Sequence, residues 1–256
     1  MFSLVAVSAE LAEQLVAVET GGEDAVHQAR TRVRRLRSIL GVYRRAFDAE
    51  QNGWMRNRLK ELGDRLGAVR DREVRALALD GLLEADDPPE LVDDVEALAA
   101  EARSEHDAGL TVLLQHLRSR KHRRLLADLQ LYAAAPPLTG SGRKHPGTVT
   151  RRGLEKAVKR TLADRDDTLE GRHETRKAAR RLRYAAEAVA DDLGRDAVRL
   201  AAAAEAVQDA LGGNRDLLLL ARFLREHDLP TVAMRCERRA GETLDGIEEK
   251  LAALRG

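Results

Sequence analysis

A motif rich in histidine and arginine occurs twice in this chain and constrains the fold more than any other feature. The copies are HQARTRVRRLR at 27–37 and HETRKAARRLR at 173–183, which are 146 residues apart. A second motif, LGxxRD, follows each copy at 66–71 and 211–216, with an offset of 145 residues. Two matched motifs in one order predict a tandem duplication, which helical folds often arrange about a pseudo-two-fold axis.

The composition favours helices over strands. Phe, Trp and Tyr together make up 3% of the residues, while Ala, Leu, Arg and Glu dominate. Such straight-chain residues lose little rotamer freedom in a helix, so we predict an all-α fold of two tandem, related helical bundles. Helical periodicity predicts helices near 4–19, 24–48, 51–66, 70–84, 88–116, 118–134, 151–167, 172–193, 195–211, 214–228 and 230–255.

The strongest break in the helical pattern is a stretch rich in proline and glycine near the middle of the chain. Its sequence, AAAPPLTGSGRKHPGTVT, covers 133–150, and this composition is typical of a linker. We expect it to be mobile. The predicted organisation is a single domain over 1–256, with repeat 1 at 1–134, a linker at 135–150 and repeat 2 at 151–256.

Each copy of the histidine–arginine motif places cations on one helix face, within an arc of about 80° and over about 15 Å. These cations are His27, Arg30, Arg34 and Arg37 in the first copy, and His173, Arg176, Arg180 and Arg183 in the second. Arg35, Lys177 and Arg181 widen the two faces. The apolar residues follow a separate face that is suited to packing. Because arginine suits bidentate phosphate contacts, both faces are predicted to bind a polyanion.

The LGxxRD motif predicts a helix end in each half. Gly67 and Gly212 are typical of positions that follow the last residue of a helix. Asp71 and Asp216 are typical of positions where a carboxylate caps the next helix. We therefore interpret the motif as mainly architectural, while its arginine remains a candidate for the binding face.

The net charge of the chain is only +1, so a positive face must come from an uneven distribution of charge. Residues 25–47 contain seven arginines and no acidic residue, whereas 84–101 contain carboxylates and no basic residue. A further basic cluster, RSRKHRR at 118–124, has no counterpart in the second half. It is either an outer basic patch or part of the binding groove.

The cellular location is predicted from three features of the sequence. Cys236 is the only cysteine, which excludes an intramolecular disulfide and a cysteine-based zinc cluster and favours a reducing compartment. The N-terminus lacks a positively charged leader, and no apolar run approaches the roughly 18 residues that a membrane span needs. We therefore expect a cytoplasmic protein without a membrane segment.

The doubled H-x-x-R-[T/K]-x-x-R-R-L-R motif, followed by LGxxRD, resembles the CHAD family, the conserved histidine α-helical domain. The resemblance covers most of the chain and implies a compact domain of two pseudo-symmetric bundles. It also implies that a basic central cavity binds inorganic polyphosphate, often targeting proteins to polyphosphate granules. The eight ligands that the resemblance implies are His27, Arg30, Arg34, Arg37, His173, Arg176, Arg180 and Arg183. The family is often fused to a triphosphate tunnel enzyme, whose Glu-x-Glu-x-Lys signature is missing here, so a stand-alone member is expected. Thr31 aligns with Lys177, which makes the two halves unequal.

Other interpretations compete with polyphosphate binding. An arginine face can simply be solvated or paired with carboxylates of a neighbouring helix, although its duplication argues against this. Nonspecific nucleic-acid binding is the alternative function, since arginines attract any phosphate, but the few aromatic residues cannot build a stacking platform.

A histidine-based metal-binding or phosphohydrolase protein is the weaker alternative. The sequence has no His-Glu-x-x-His, P-loop or Gly-x-Ser-x-Gly motif. Arginines beside His27 and His173 would repel a metal cation shared between these histidines. We expect no catalysis, no metal and no cofactor.

Overall fold

The computed structural model describes residues 2–163 and 167–255, and within these ranges the fold is all-α, as the composition predicted. The helices are α1 (Leu4–Glu19), α2 (Ala25–Val42), α3 (Ala49–Asp80), α4 (Pro89–Leu117), α5 (Arg120–Ala134), α6 (Gly140–Lys144), α7 (Pro146–Thr161), α8 (Leu169–Glu187), α9 (Ala190–Leu193), α10 (Arg195–Glu226), α11 (Pro230–Glu242) and α12 (Ile247–Ala252). A 3-10 turn covers Arg44–Ala46, and an isolated β-bridge pairs Phe47 with Leu138. In the described part of the chain, no helix is both long and apolar enough to cross a membrane. The predicted helix at 151–167 includes 164–166, which lie outside the described residues.

Local sequence explains where several helices begin. The side chains of Ser119 and Thr168 precede α5 and α8 and accept hydrogen bonds from the backbone N–H groups of His122 and Gly171. These bonds satisfy donors that a helix start leaves without a backbone partner. Proline occupies the first turn of α4, α7 and α11, where its missing N–H costs little.

The long helices α3 and α10 correct the prediction made from LGxxRD. Gly67 and Gly212 do not follow helix ends, because each lies inside a continuous helix of 32 residues. Asp71 and Asp216 are therefore interior residues of these helices and not caps. A mid-helix glycine costs only about 1 kcal/mol relative to alanine, which is too little to end a helix that tertiary contacts support.

The predicted linker at 135–150 is structured. It contains α6 and the first residues of α7. The Thr139 backbone N–H donates to the Ala46 carbonyl oxygen over 2.8 Å, and the Thr139 hydroxyl donates to the Arg45 carbonyl oxygen over 2.9 Å. A Cβ atom at Gly142 would overlap the Ala46 carbonyl oxygen, so this close backbone approach requires glycine. Gly142 of this stretch therefore serves a packing contact.

The chain forms two compact units. Unit I comprises Leu4–Leu36 and Trp54–Pro136, and unit II comprises Met1–Ser3, Arg37–Gly53 and Pro137–Gly256. Both boundaries near the first histidine–arginine motif fall within helices, so α2 and α3 each contribute to both units. The compact units thus divide the chain differently from the predicted repeats, whose arrangement about a pseudo-two-fold axis stays a prediction.

Each unit has its own buried core. In unit I, α1 packs on α4 and α5, and Leu11 and Leu129 are buried. In unit II, α10 packs on α8 and α11. The buried Tyr43 hydroxyl donates to the Ala185 carbonyl oxygen over 2.7 Å, and the Phe2 ring stacks on Tyr43 with 4.7 Å between ring centroids. These contacts fix the helices that carry the predicted binding residues.

Candidate functional site

The first histidine–arginine face lies along α2, and its cations are half-buried. On another side of this helix, Ala29, Val33 and Leu36 are fully buried. The half-buried residues of the face are His27, Arg30, Arg34, Arg35 and Arg37. The first four belong to unit I, and the fifth belongs to unit II. Charge and core therefore occupy separate sides of α2, as its periodicity predicted.

Arg30 of α2 contacts two residues of the LGxxRD motif in α3. The guanidinium of Arg30 passes over Gly67, where an added Cβ atom would lie 3.4 Å from Nε and from Nη2. Its Nη1 donates to Asp71 Oδ1 over 2.8 Å, and only 18% of the Arg30 side chain is exposed. Gly67 and Asp71 are one helical turn apart and share a face of α3. The glycine thus supplies the space for the guanidinium, and the aspartate supplies the charge that orients it.

His27 lies among cations that come from two helices. Burial is the main cause that lowers the pKa of His27, and the positive charge of Arg70 on α3 is the next. Arg34 and Arg30 lower this pKa further, while Asp24 raises it. Three of the four charges that act on His27 are positive, so a bound anion would offset their repulsion of the protonated imidazole.

The second histidine–arginine face lies along α8, within unit II. Ala179, Leu182 and Ala186 on the other side of this helix are fully buried. His173, Arg176, Lys177, Arg180 and Arg183 are half-buried, and Arg181 is exposed. The separation of charge from core is therefore the same on α8 as on α2.

The arginine–glycine contact of the first half recurs here. A Cβ atom at Gly212 of α10 would lie 3.2 Å from Arg176 Nε. Arg176 Nη2 lies 3.9 Å from Asp216 Oδ2, a longer ion pair than its counterpart at Asp71. The two halves thus share a structural contact between their two motifs and not only a sequence pattern.

His173 has the same kind of surroundings as His27. Burial lowers the pKa of His173 most, and Arg215 of α10 is the next cause, as Arg70 is for His27. Lys177 adds to the lowering although it is ion-paired with Glu174, and Glu170 opposes it. His173 Nδ1 is buried and lacks a hydrogen-bond partner among the described residues. The second face therefore combines nearby positive charges with a buried polar atom that has no hydrogen-bond partner among the described residues.

Two carboxylates contact Arg183. Its Nε donates to Glu187 Oε1 over 2.9 Å, and its Nη2 lies 2.8 Å from Glu205 Oε1. Burial lowers the pKa of Arg183, but its hydrogen bond to Glu187 and the charge of Glu205 raise it, with a net rise. For this residue the simpler interpretation, pairing with carboxylates of its own and a neighbouring helix, describes the structure.

Four residues of the LGxxRD motifs lie at the two faces, two at each. These are Arg70, Asp71, Arg215 and Asp216. The sequence predicted a mainly architectural role for this motif and kept its arginine as a candidate for the binding face. No local pattern shows that residue 71 lies beside residue 30, since 41 positions separate them. The available signal was the recurrence of both motifs together, in the same order, in each half.

The carboxylates near the faces contact arginines and are not grouped as metal ligands. Asp71 accepts from Arg30, and Glu205 contacts Arg183. Throughout residues 2–163 and 167–255, no three His, Cys, Asp or Glu side chains come together in a way that could hold a metal ion.

Comparison with known proteins assigns the chain to a family. The family model described as the CHAD domain matches residues 6–225. The chain belongs to this family. The matched range includes both histidine–arginine motifs and both LGxxRD motifs, so the resemblance read from these motifs is confirmed.

Curated relatives of this CHAD domain occur in Mycobacterium tuberculosis. The uncharacterized protein Rv2226 of strain H37Rv is 36% identical over 206 residues, which cover 73% of this chain and 39% of that protein. The uncharacterized protein MT2285 of strain CDC 1551 is 35% identical with the same coverage. The chain thus spans about two fifths of the length of these relatives.

Two solved structures share the fold of this CHAD domain. The CHAD domain from the plant Ricinus communis aligns with a TM-score of 0.68 and 25% identity, covering 98% of this chain and 87% of that one. PptA from Streptomyces chartreusis aligns with a TM-score of 0.67 and 18% identity, covering 99% and 95%. At 18% identity, the second likeness shows the fold alone.

Proposed function

We propose that this CHAD domain is a non-catalytic module that binds inorganic polyphosphate through the faces of α2 and α8. The observation that carries the proposal is the repeated contact in which Arg30 or Arg176 packs over a glycine of the neighbouring helix. This contact keeps one arginine of each face half-buried, where charge-assisted bonds to phosphate are stronger than in bulk water. Membership of the CHAD family supports the same ligand, and association with polyphosphate granules is part of the proposal.

The length of each face favours a polymer over a single phosphate. Cations recur at intervals of three and four residues over about 15 Å of helix, a span of several phosphate groups. Carboxylates neutralise some of these cations, as Asp71 does for Arg30 and Glu205 does for Arg183. A ligand with regularly repeated negative charge matches a row of cations of this length.

The aromatic residues favour polyphosphate over nucleic acid. Among the described residues, Trp54 is the one aromatic side chain that is exposed, at 48%. Proteins that bind single strands without sequence preference use several exposed aromatic rings to stack bases. Nonspecific nucleic-acid binding is therefore the second candidate, supported by the arginine faces alone.

The first test is a titration of the full chain with long-chain polyphosphate and with RNA of equal charge, at several salt concentrations. We expect the logarithm of the association constant to fall linearly with the logarithm of salt concentration, because binding releases counterions. Polyphosphate should displace RNA, and no orthophosphate should be released, with or without added Mg²⁺. A salt-independent complex, displacement of polyphosphate by RNA, or metal-dependent phosphate release would each contradict the proposal.

A further inference from the structure

A pocket of about 230 Å³ lies in unit I between α1, the end of α4 and the start of α5. Its apolar lining residues are Ala12, Leu15, Val16, Leu117 and Leu126. Leu15 and Leu117 are buried, whereas Val16 is 60% exposed and marks the open side. The volume equals that of about eight water molecules in the liquid, so the pocket suits a short hydrocarbon group.

Charged residues line the same pocket. Arg118 and Arg123, which belong to the basic cluster at 118–124, lie beside Glu19 and leave one net positive charge. Neither guanidinium has an ion-pair partner among the residues that the structure describes. By contrast, Lys121 of the same cluster is paired with Glu61 over 2.8 Å. Two unpaired guanidinium groups beside apolar walls are suited to the head group of an amphiphilic anion.

His122 is the third feature of the pocket. It lines the pocket, is 3% exposed, and its Nδ1 has no hydrogen-bond partner within the described ranges. Its backbone N–H donates to Ser119 Oγ, which places the residue in the first turn of α5, where the helix dipole favours an anion. Burial and the neighbouring His116 lower the pKa of His122 to about 4. The neutral imidazole can therefore donate or accept a hydrogen bond at pH 7.

We infer that this pocket binds a small organic carboxylate with a short apolar tail. The tail would pack on Leu15 and Val16, and the carboxylate would lie between Arg118 and Arg123. Inorganic phosphate would leave the apolar walls in water, and a long polyphosphate chain would not fit the volume. None of the residues that line the pocket belongs to the two histidine–arginine faces, so this inference does not rest on the proposed polyphosphate binding.

The test compares four probes on the full chain by calorimetric titration. Hexanoate carries both head and tail, acetate and inorganic phosphate carry the charge without the tail, and hexanol carries the tail without the charge. We expect hexanoate to bind at least about tenfold more tightly than each of the others, since each buried methylene and the ion pairs contribute. Saturating polyphosphate should leave the hexanoate affinity unchanged. Equal binding of acetate or phosphate would instead mean that the basic cluster attracts anions without regard to the pocket.

Matched variants locate the site. Arg118→Gln and Arg123→Gln should each weaken hexanoate binding by about tenfold. Val16→Glu, at the exposed side, should abolish binding while the melting temperature stays the same. Arg124→Gln, on the same helix but outside the pocket lining, is the control and should have no effect. An equal loss in the control, or no loss in the pocket variants, would overturn the inference. Hexanoate binding without polyphosphate binding would reject only the function proposed above.

Discussion

At the scale of single residues, packing explains why α3 and α10 contain glycines in their interior, although glycine weakens a helix. Gly67 and Gly212 each lie under an arginine side chain that comes from another helix. Glycine in a helix costs roughly 0.5–1 kcal/mol relative to alanine. Gly53, also in α3, has no atom within 4 Å of the Cβ that alanine would add, so it provides a comparison within the same protein.

Replacing Gly212 with alanine should separate helix stability from ligand binding. The new Cβ would lie 3.2 Å from Arg176 Nε, so the guanidinium must move away from its present position. We expect polyphosphate affinity to fall by about threefold or more, because part of one charge-assisted contact to phosphate is lost. Gly53→Ala should raise the free energy of unfolding by about 0.5–1 kcal/mol and leave affinity unchanged. Titration and denaturant unfolding measure the two effects, and identical results for both variants would show that the glycine contact has no role in binding.

At the scale of helices, α2 and α8 keep their cations away from their apolar sides. This separation follows from the helical period and was predictable from the sequence. Arg34 and Arg180 lie in the middle of the two faces and are half-buried. Arg44 and Arg45, predicted to belong to the helix near 24–48, are instead exposed residues of the 3-10 turn after α2.

Charge reversal at the centre of both faces tests the site assignment. Changing Arg34 and Arg180 together to glutamate should weaken polyphosphate binding by at least about a hundredfold, since two charge-assisted contacts are lost and two repulsions are added. Circular dichroism should show unchanged helicity. The control, Arg44→Glu with Arg45→Glu, makes the same change in net charge and should have a much smaller effect. If both double variants weakened binding alike, the attraction would be diffuse and not specific to the faces.

At the scale of the whole molecule, polyanion binding should be coupled to proton uptake in both halves. Burial, and then Arg70 or Arg215, lowers the pKa of His27 and His173 in the free protein. A bound polyanion favours the protonated imidazoles and so raises both pKa values. Affinity should therefore be constant at high pH, increase as the pH falls through the pKa of the complex, and level off below the lowered pKa of the free protein.

Calorimetry in buffers with different ionisation enthalpies measures this proton uptake. Changing His27 and His173 together to glutamine should make the affinity nearly independent of pH. His145→Gln, an exposed histidine outside both faces, is the control and should keep the pH dependence. Retention of the full pH dependence in the double variant would show that other groups bind the proton.

By itself, the sequence determined the all-α class, the approximate position of most helices, the duplicated motif and the separation of charge from core on α2 and α8. These features depend on the helical period and on residue preferences, which act over one or two turns. The prediction that helices end at Gly67 and Gly212 was wrong, because a local preference of about 1 kcal/mol does not outweigh tertiary packing. The packing of the helices determines which cations contact carboxylates, as Arg30 contacts Asp71 and Arg183 contacts Glu205. The spacing of residues along the chain does not show which helices pack together, so these contacts could not be predicted from it.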